Sequence, residues 1–209
     1  MNKLEQFWNS CDENFAHIKL ERHHSGYKNL INSWEKNFIS YLQFSGGTIV
    51  DYGIGAGYLA KYFFEKKMCS KYIGIDISTR SLNAARLNLI NFEKSIELIN
   101  SDQFYSSFNE PADLFVSQAC IQHFPTEKYL INFLEKLNKL VFSEIMLQIR
   151  YSNSTSFNPN YENEDQVCFA CKTNFEFISK YLNNYQISRI GEISPKSKYQ
   201  YLIFKNKIN

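Results

Sequence analysis

Residues 50–57 read Val-Asp-Tyr-Gly-Ile-Gly-Ala-Gly, and this stretch decides the fold of the 209-residue chain. Five of the eight glycines in the sequence fall between Gly46 and Gly57, which indicates a backbone path that side chains would obstruct. The β-branched residues 48–50 precede the loop as a short strand, and an apolar helical pattern follows it. A glycine loop between a strand and a helix predicts a ligand site, because the N–H groups at the start of the helix face the bound molecule.

The second part of this predicted site is Asp76, which ends the next strand 19 residues beyond Gly57. An acid at this place accepts hydrogen bonds from the ribose hydroxyls of an adenosine, and we expect the adjoining Ile77 to contact the same nucleoside. Residues 55–60 also fit the dinucleotide fingerprint with alanine last, so a nicotinamide cofactor remains an alternative. Asp51 argues against it, since a carboxylate is a poor neighbour for a pyrophosphate but a good one for an ammonium or sulfonium group.

The rest of the chain alternates predicted strands and helices. Strands are predicted at residues 72–76, 96–99, 112–117 and 144–149, with amphipathic helical patterns between them. Strands separated by helices build parallel βαβ units, which predicts a Rossmann-like, doubly wound α/β sheet with helices on both faces. The last two apolar segments, 185–193 and 199–204, are joined by so short a turn that they form an antiparallel hairpin.

The sequence divides into a short N-terminal part and one core. Residues 1–45 are predicted as an N-terminal helical segment and residues 46–209 as the core domain. Residues 151–172 are polar and too long for an ordinary connection, which indicates a possible substrate loop. After them, a capping box at residues 173–176 predicts a helix that ends near Asn184.

These motifs resemble those of the class I S-adenosylmethionine-dependent methyltransferases over about residues 30 to 205. The matching stretches are residues 50–57, 74–76, 100–104 and 113–125. The resemblance implies seven strands with the last one antiparallel, S-adenosylmethionine as cofactor, and an N-terminal segment that covers the cofactor site. The cofactor-binding residues it implies are Asp51, Gly53, Gly55, Gly57, Asp76, Ile77, Ser101, Asp102, Gln103, Gln118 and Tyr27.

Three further positions are candidates for contact with the substrate or the cofactor. His123 follows a strand end beside the expected transfer site, where an imidazole could take a proton from a hydroxyl; the alternative is a partly buried histidine that caps the loop. Arg150 ends the fifth strand and could bind a carboxylate or phosphate, or it is an ordinary surface arginine. Tyr27, or a histidine at 23 or 24, could touch the methionyl end of the cofactor, or it lies in a solvated turn.

Composition and cysteine usage restrict the partners. The net charge of +2 provides no global field for nucleic acid or an anionic membrane, and no apolar run predicts a membrane span or signal peptide. The five scattered cysteines fit reduced thiols and a cytoplasmic protein. Cys168 and Cys171 have metal-like spacing, but without a second pair we expect no metal.

The sequence therefore predicts an S-adenosylmethionine-dependent methyltransferase that acts on an oxygen or nitrogen of a small polar metabolite, such as a sugar, an amino acid or a phosphorylated compound. The fourth strand ends in Ser117-Gln118-Ala119-Cys120 and lacks the Asn/Asp-Pro-Pro-aromatic signature, which disfavours methylation of nucleic-acid bases. We expect a small-molecule partner, no nucleic acid or membrane, and a monomer or homodimer. The alternatives are a non-catalytic regulator that binds S-adenosylmethionine and a nicotinamide-dependent oxidoreductase.

Overall fold

A seven-stranded sheet forms the centre of the protein in the computed structural model, which describes residues 3–10, 24–106, 108–158 and 170–207. The order of its strands is β3-β2-β1-β4-β5-β9-β8. The strands in this sheet are β1 (Thr48–Tyr52), β2 (Lys71–Asp76), β3 (Ile96–Asn100), β4 (Ala112–Ser117), β5 (Phe142–Arg150), β8 (Tyr185–Ile190) and β9 (Tyr199–Asn206). A separate two-stranded ribbon consists of β6 (Ser156–Phe157) and β7 (Cys171–Lys172).

Strands β1 to β5 are parallel, and β9 runs antiparallel to both β5 and β8. The chain builds outward from β1 to β3 on one side and then crosses back to place β4 on the other side of β1. The carboxyl ends of β1 and β4 therefore meet at a topological switch point, where open α/β sheets bind their ligands. This arrangement confirms the predicted fold class, including the antiparallel hairpin at the end of the chain.

Both faces of the sheet are buried, as parallel strands require. Successive residues alternate between two apolar clusters: Ile49 packs on one face and Val50 on the other, and Leu114 and Phe115 repeat this alternation. The helices that cover the sheet are α2 (His24–Asn37), α3 (Tyr58–Glu65), α4 (Thr79–Asn88), α5 (Ser101–Ser106), α6 (Glu127–Lys139) and α7 (Phe175–Tyr181). Helices α2, α3 and α4 supply buried residues to the Ile49 face, whereas α5, α6 and α7 supply them to the Val50 face.

The short helix α1 (Lys3–Ser10) lies against α4, at the carboxyl edge of the sheet. The hydroxyl of Ser78 donates to the backbone oxygen of Trp8 at 3.3 Å and to the side chain of Asn9 at 3.0 Å. This part of the chain thus reaches the edge where the ligand site is predicted. Among the helices of the described ranges, none has the length and apolar character to cross a membrane.

The region after β5 differs in detail from the sequence prediction. Residues 151–172 are not loop throughout, because this segment contains strands β6 and β7, which pair with each other. Asn174 and not Thr173 caps α7, since its side chain accepts from the N–H of Phe177 at 2.9 Å, and the helix ends at Tyr181, before the predicted end. Residues 159–169, which contain Cys168, and residues 11–23, which contain His23, lie outside the described residues.

Candidate active site

A cavity of about 450 Å³ opens at the carboxyl ends of β1, β2 and β4. This volume lies within the range of small-molecule sites, and its position is the switch point of the sheet. The end of β1 and the loop after it supply residues 51–56 to the lining, and the end of β2 supplies Asp76 and Ile77. Residues from α1, α2, α3 and α4 and from the segment after β4 complete the wall.

The glycine loop after β1 owes its shape to positive φ angles at Gly53, Gly55 and Gly57. The N–H groups of Gly53 and Ile54 donate to the backbone oxygen of Ile75, at 2.8 and 3.0 Å, which ties the loop to the end of β2. A β-carbon on Gly53 would meet Cys120 at 2.6 Å, and one on Gly57 would meet Leu89 at 2.7 Å.

Gly55 differs from the other two glycines of the loop. A β-carbon at this position would have no heavy atom within 4 Å, so this side of the loop faces open space in the cavity. A ligand can therefore approach the backbone of Gly55 directly. Its N–H group points away from that space and donates to the carboxylate of Asp76 at 3.0 Å.

Asp76 ends β2 and connects the glycine loop to the start of α4. One carboxylate oxygen accepts from Gly55, and the other accepts from the N–H of Ser78 at 2.9 Å. Burial raises the pKa of Asp76 to about 6, although the backbone hydrogen bonds from Ser78, Gly55 and Ile77 oppose the shift. A carboxylate offers about four lone-pair sites, so three backbone donors leave capacity for a ligand hydroxyl.

Asp51 is buried at the end of β1 and lines the cavity beside the loop. One of its oxygens accepts from the hydroxyl of Tyr72 at 2.8 Å, while the other, Oδ1, is buried without a hydrogen-bond partner. Burial raises the pKa of this carboxyl to about 7, and the Tyr72 hydrogen bond partly opposes the rise. A cationic ligand group next to Asp51 would supply the missing partner and favour the charged carboxylate.

Three other residues of the cavity wall have buried polar atoms without a partner. These atoms are the indole Nε1 of Trp34, the hydroxyl of Tyr58 and the amide Oε1 of Gln122. Unpaired buried polar groups cost free energy and are uncommon in native proteins. Their concentration at one cavity, together with that of Asp51, indicates a site shaped for a polar ligand.

The segment after β4, together with residues of α1, α6 and β9 that contact it, forms a distinct part of the lining, which we call the β4 wall. Gln122 lies in a 3₁₀ turn (Ile121–His123) and donates to the hydroxyl of Tyr199, at the start of β9, at 3.1 Å. The His123 ring contacts the ring of Trp8 edge-on, with centroids 4.8 Å apart. The β4 wall consists of Trp8, Gln122, His123, Phe124, Tyr129 and Tyr199.

Sequence and structure comparisons both point to methyltransferases. Residues 49–141 match a sequence model described as a methyltransferase domain, and no curated protein sequence matches the chain. Among solved structures, the fold is similar to that of an S-adenosylmethionine-dependent methyltransferase from Leishmania major, with a TM-score of 0.71 and 12% identity; the match covers 98% of this chain and 82% of that one. Residues 49–141 thus match a methyltransferase domain, within a fold shared with S-adenosylmethionine-dependent methyltransferases.

Two further structures extend this similarity. The magnesium protoporphyrin IX methyltransferase from Synechocystis, solved with S-adenosylhomocysteine bound, gives a TM-score of 0.62 at 16% identity, covering 98% of this chain and 93% of that one. An S-adenosylmethionine-dependent methyltransferase from Clostridium acetobutylicum gives 0.63 at 15% identity, covering 92% and 97%. At these identities the likeness concerns the fold.

The site fits the chemistry of S-adenosylmethionine. The cofactor carries an ammonium and a sulfonium group, and the unpartnered Oδ1 of Asp51 is suited to a cation. It also carries a carboxylate, for which the unpartnered donors of Trp34 and Tyr58 are suited. Within the described residues, no group of three or more His, Cys, Asp and Glu side chains could hold a metal ion.

Some of the predicted site residues line the cavity, and others lie outside its lining. The predicted residues that line the cavity are Asp51, Gly53, Gly55, Asp76, Ile77, Gln118 and His123. Gly57 is the N-cap of α3, behind the lining, and residues 101–103 begin α5, outside the lining. Arg150 also lies outside it, where β5 pairs with the start of β9, and the Tyr27 hydroxyl donates to Glu65 at 3.5 Å instead of facing the cavity.

Several residues of the site were not predicted from the sequence. Trp34 belongs to the apolar stripe of α2, and Tyr72 lies within a buried strand, so both have the pattern of core residues. Trp8 and Tyr199 come from the two ends of the chain, and only the folded sheet brings them to the same cavity. The short motif spacings of the sequence carry no signal for these long-range contacts.

Proposed function

We propose that this methyltransferase transfers a methyl group to an oxygen or nitrogen of a small polar molecule. The observation that supports it is a single cavity with a glycine loop and two carboxylates on one side and the β4 wall on the other. When bound, S-adenosylmethionine supplies the methyl group on its sulfonium sulfur. The sulfur keeps the electrons of the broken C–S bond, and the acceptor's lone pair forms the new bond. One proton of the acceptor is released.

Four side chains would hold the cofactor by complementary hydrogen bonding. Asp51 would accept from the ammonium group through Oδ1, and Trp34 Nε1 and the Tyr58 hydroxyl would donate to the carboxylate. Asp76 would accept from a ribose hydroxyl with the capacity that the backbone donors Gly55, Ser78 and Ile77 leave. This assignment gives partners to three polar atoms that have none among the described residues.

The protein's contribution to the reaction would be positioning and removal of the acceptor's proton. The cavity is lined by Leu4 and Trp8 of α1, which restrict access of water. Holding the two reacting atoms in line removes much of the entropic barrier without a covalent intermediate. His123, on the β4 wall, would take the proton where the acceptor is a hydroxyl.

Some of the predicted acceptors receive less support than others. Arg150, the residue predicted to bind a carboxylate or phosphate, is not among the residues that line the cavity. A compact neutral acceptor is therefore favoured over a phosphorylated one. A small-molecule partner, a cytoplasmic location and a monomeric or homodimeric state remain parts of this proposal.

Two measurements test the proposal in sequence. Isothermal titration with S-adenosylhomocysteine and, separately, with NAD should give binding only for the former; the reverse result would identify an oxidoreductase. A metabolite screen with S-adenosylmethionine, read out as release of S-adenosylhomocysteine, should then yield at least one methylated product. If the protein binds S-adenosylhomocysteine tightly but methylates none of the hydroxyl and amine compounds in the screen, a non-catalytic regulator would be favoured.

A further inference from the structure

The part of the cavity that would hold the methyl acceptor is aromatic and uncharged. Its four aromatic residues other than His123 are Trp8, Phe124, Tyr129 and Tyr199. Phe124 and Tyr129 form an edge-on pair with ring centroids 4.8 Å apart, so the face they offer is fixed by packing. Aromatic side chains pair favourably with a further aromatic ring, in edge-to-face or offset stacked geometry, which suits this surface to a flat apolar ring.

The charged residues of the cavity lining do not belong to the β4 wall. They are Asp51, Asp76 and Arg80, at the ends of β1 and β2 and on α4. Among the described residues of the β4 wall there is no Lys, Arg, Asp or Glu. A phosphate or carboxylate on the acceptor would be removed from water there without a counter-charge, which is costly.

Gln122 supplies the polar contact of this wall. Its side chain is only 3% exposed, and its Nε2 is fixed by the hydroxyl of Tyr199 at 3.1 Å. That bond leaves Oε1 buried without a donor. The unmet group is a hydrogen-bond acceptor, so the molecule that satisfies it must bring an O–H or N–H.

We propose that the methyl acceptor is a neutral, planar aromatic molecule whose hydroxyl or amine hydrogen-bonds to Oε1 of Gln122 on binding. The proton that a hydroxyl loses on methyl transfer would pass to His123, on the same wall, since the Gln122 amide hydrogen-bonds to the group but is not a base. This inference rests on the proposed function and narrows its substrate class to phenol-like and aniline-like compounds. Gln122 is then a specificity-determining residue. Its amide selects the unmethylated acceptor, because the O-methylated product of a phenol has lost the donor.

The test uses four single-ring probes with the protein saturated by S-adenosylhomocysteine, and ligand-observed NMR measures each affinity. Phenol carries both the ring and the donor, anisole has the ring alone, cyclohexanol has a donor without a flat ring, and phenyl phosphate adds an anionic group. Phenol should bind about 3–10-fold more tightly than anisole, the scale of one hydrogen bond, and more tightly than the other two. Equal or tighter binding of cyclohexanol or phenyl phosphate would overturn the proposal.

Two variants assign the preference to the β4 wall. Gln122→Met keeps the length of the side chain but removes the amide, and should bring the ratio of phenol to anisole affinity close to one. The matched control Gln186→Met changes an exposed glutamine of β8 and should leave the ratio intact. If Gln122→Met keeps the wild-type ratio of phenol to anisole affinity, another group binds the phenol hydroxyl, and the assignment to Gln122 is wrong.

If Gln122→Met does not fold, Trp8→Leu provides the second test, because Trp8 lies on the short terminal helix α1. It should lower phenol affinity several-fold once S-adenosylhomocysteine is again saturating, while cyclohexanol affinity stays unchanged. Equal losses for the two probes would contradict an aromatic site. Failure to bind S-adenosylhomocysteine in the wild-type protein would instead refute the proposed function, so the two failures are distinguishable.

Discussion

The side-chain oxygen of Gln148 accepts a hydrogen bond from the backbone N–H of Ala119 at 2.6 Å, across 29 residues of sequence. Gln148 lies within β5 and is buried, and its amide nitrogen donates to the hydroxyl of Tyr201 at 2.9 Å. Ala119 has a φ of +54°, which is unfavourable for any residue with a β-carbon. Gln148 thus fixes the strained turn that directs the segment after β4 toward the cavity.

Breaking this contact should uncouple the turn from the sheet. Gln148→Met leaves the Ala119 N–H without its partner and should destabilise the protein by about 1–3 kcal/mol in urea unfolding. Ala119→Gly relieves the positive φ and should stabilise the wild type by about 0.5–1 kcal/mol. The gain from glycine should be smaller in the Gln148→Met background, where the turn can relax; strict additivity in this double-mutant cycle would show that Gln148 does not hold the turn.

An added side chain should affect ligand binding at Gly55 and stability at Gly53, although both glycines belong to the same loop. Gly55→Val places its side chain in open space, so the variant should remain folded, with a strain of about 1–2 kcal/mol, and lose S-adenosylhomocysteine binding. Gly53→Ala would press on Cys120 at 2.6 Å and should lower the unfolding free energy more than Gly55→Val does. Unfolding curves and isothermal titration of both variants test this, and normal binding by Gly55→Val would place the ligand elsewhere.

Removing the buried charge of Asp51 should raise the stability of the protein and lower its affinity for the cofactor. Its pKa is raised from 3.8 to about 7, so the folded protein retains a proton that the unfolded chain has released. The free energy of unfolding therefore falls as the pH rises from about 4 to 7. Asp51→Asn stays neutral, so this slope should be reduced and the variant should be more stable at pH 8, by on the order of 2 kcal/mol.

The same Asp51→Asn variant should bind S-adenosylhomocysteine about 10–100-fold more weakly at pH 8, because it loses a charged partner for the ammonium. Glu97→Gln, an exposed carboxylate of β3 that pairs with Lys71, is the matched control and should change neither property. Unchanged affinity in Asp51→Asn would remove this residue from the cofactor site.

Trp34 and Tyr58 should recognise only the amino-acid end of the cofactor. Tyr58→Phe removes one buried donor with little change of shape, and Trp34→Phe removes the other donor together with part of a buried ring system; each should weaken S-adenosylhomocysteine binding about 3–30-fold. The affinity for 5′-methylthioadenosine, which lacks the amino-acid group, should be unaffected. Equal losses for both ligands would indicate a general packing role and contradict the assignment.

The sequence predicts the part of this protein that depends on local pattern and chain order. The glycine loop, Asp76 and the alternation of strands and helices determine the sheet and the cofactor side of the cavity, because each signal lies within a few residues of the group it positions. The contacts of Gln148 with Ala119 and of Gln122 with Tyr199 join segments that are distant in sequence. The first depends on the register of β4 with β5 and the second on the place where β9 pairs with β5, and no motif spacing encodes either register.

The last prediction concerns His123, which lines the cavity on the β4 wall. With an acceptor from the metabolite screen, His123→Asn should lower kcat by about 10²–10⁴-fold if the imidazole takes the acceptor's proton, and leave S-adenosylhomocysteine affinity within a few-fold. For an amine acceptor that is already neutral, the loss should be smaller and appear mainly in the acceptor KM.

The pH profile separates the two roles of His123, because a base predicts a fall in kcat on acidification that the variant lacks. Asp51 and Asp76 titrate at about pH 7 and 6, and their protonation would also lower cofactor affinity in acid. The profile must therefore be measured at saturating S-adenosylmethionine, where that effect disappears from kcat and an acidic limb reports on the acceptor side alone. An identical limb in the wild type and in His123→Asn would assign His123 to positioning the acceptor.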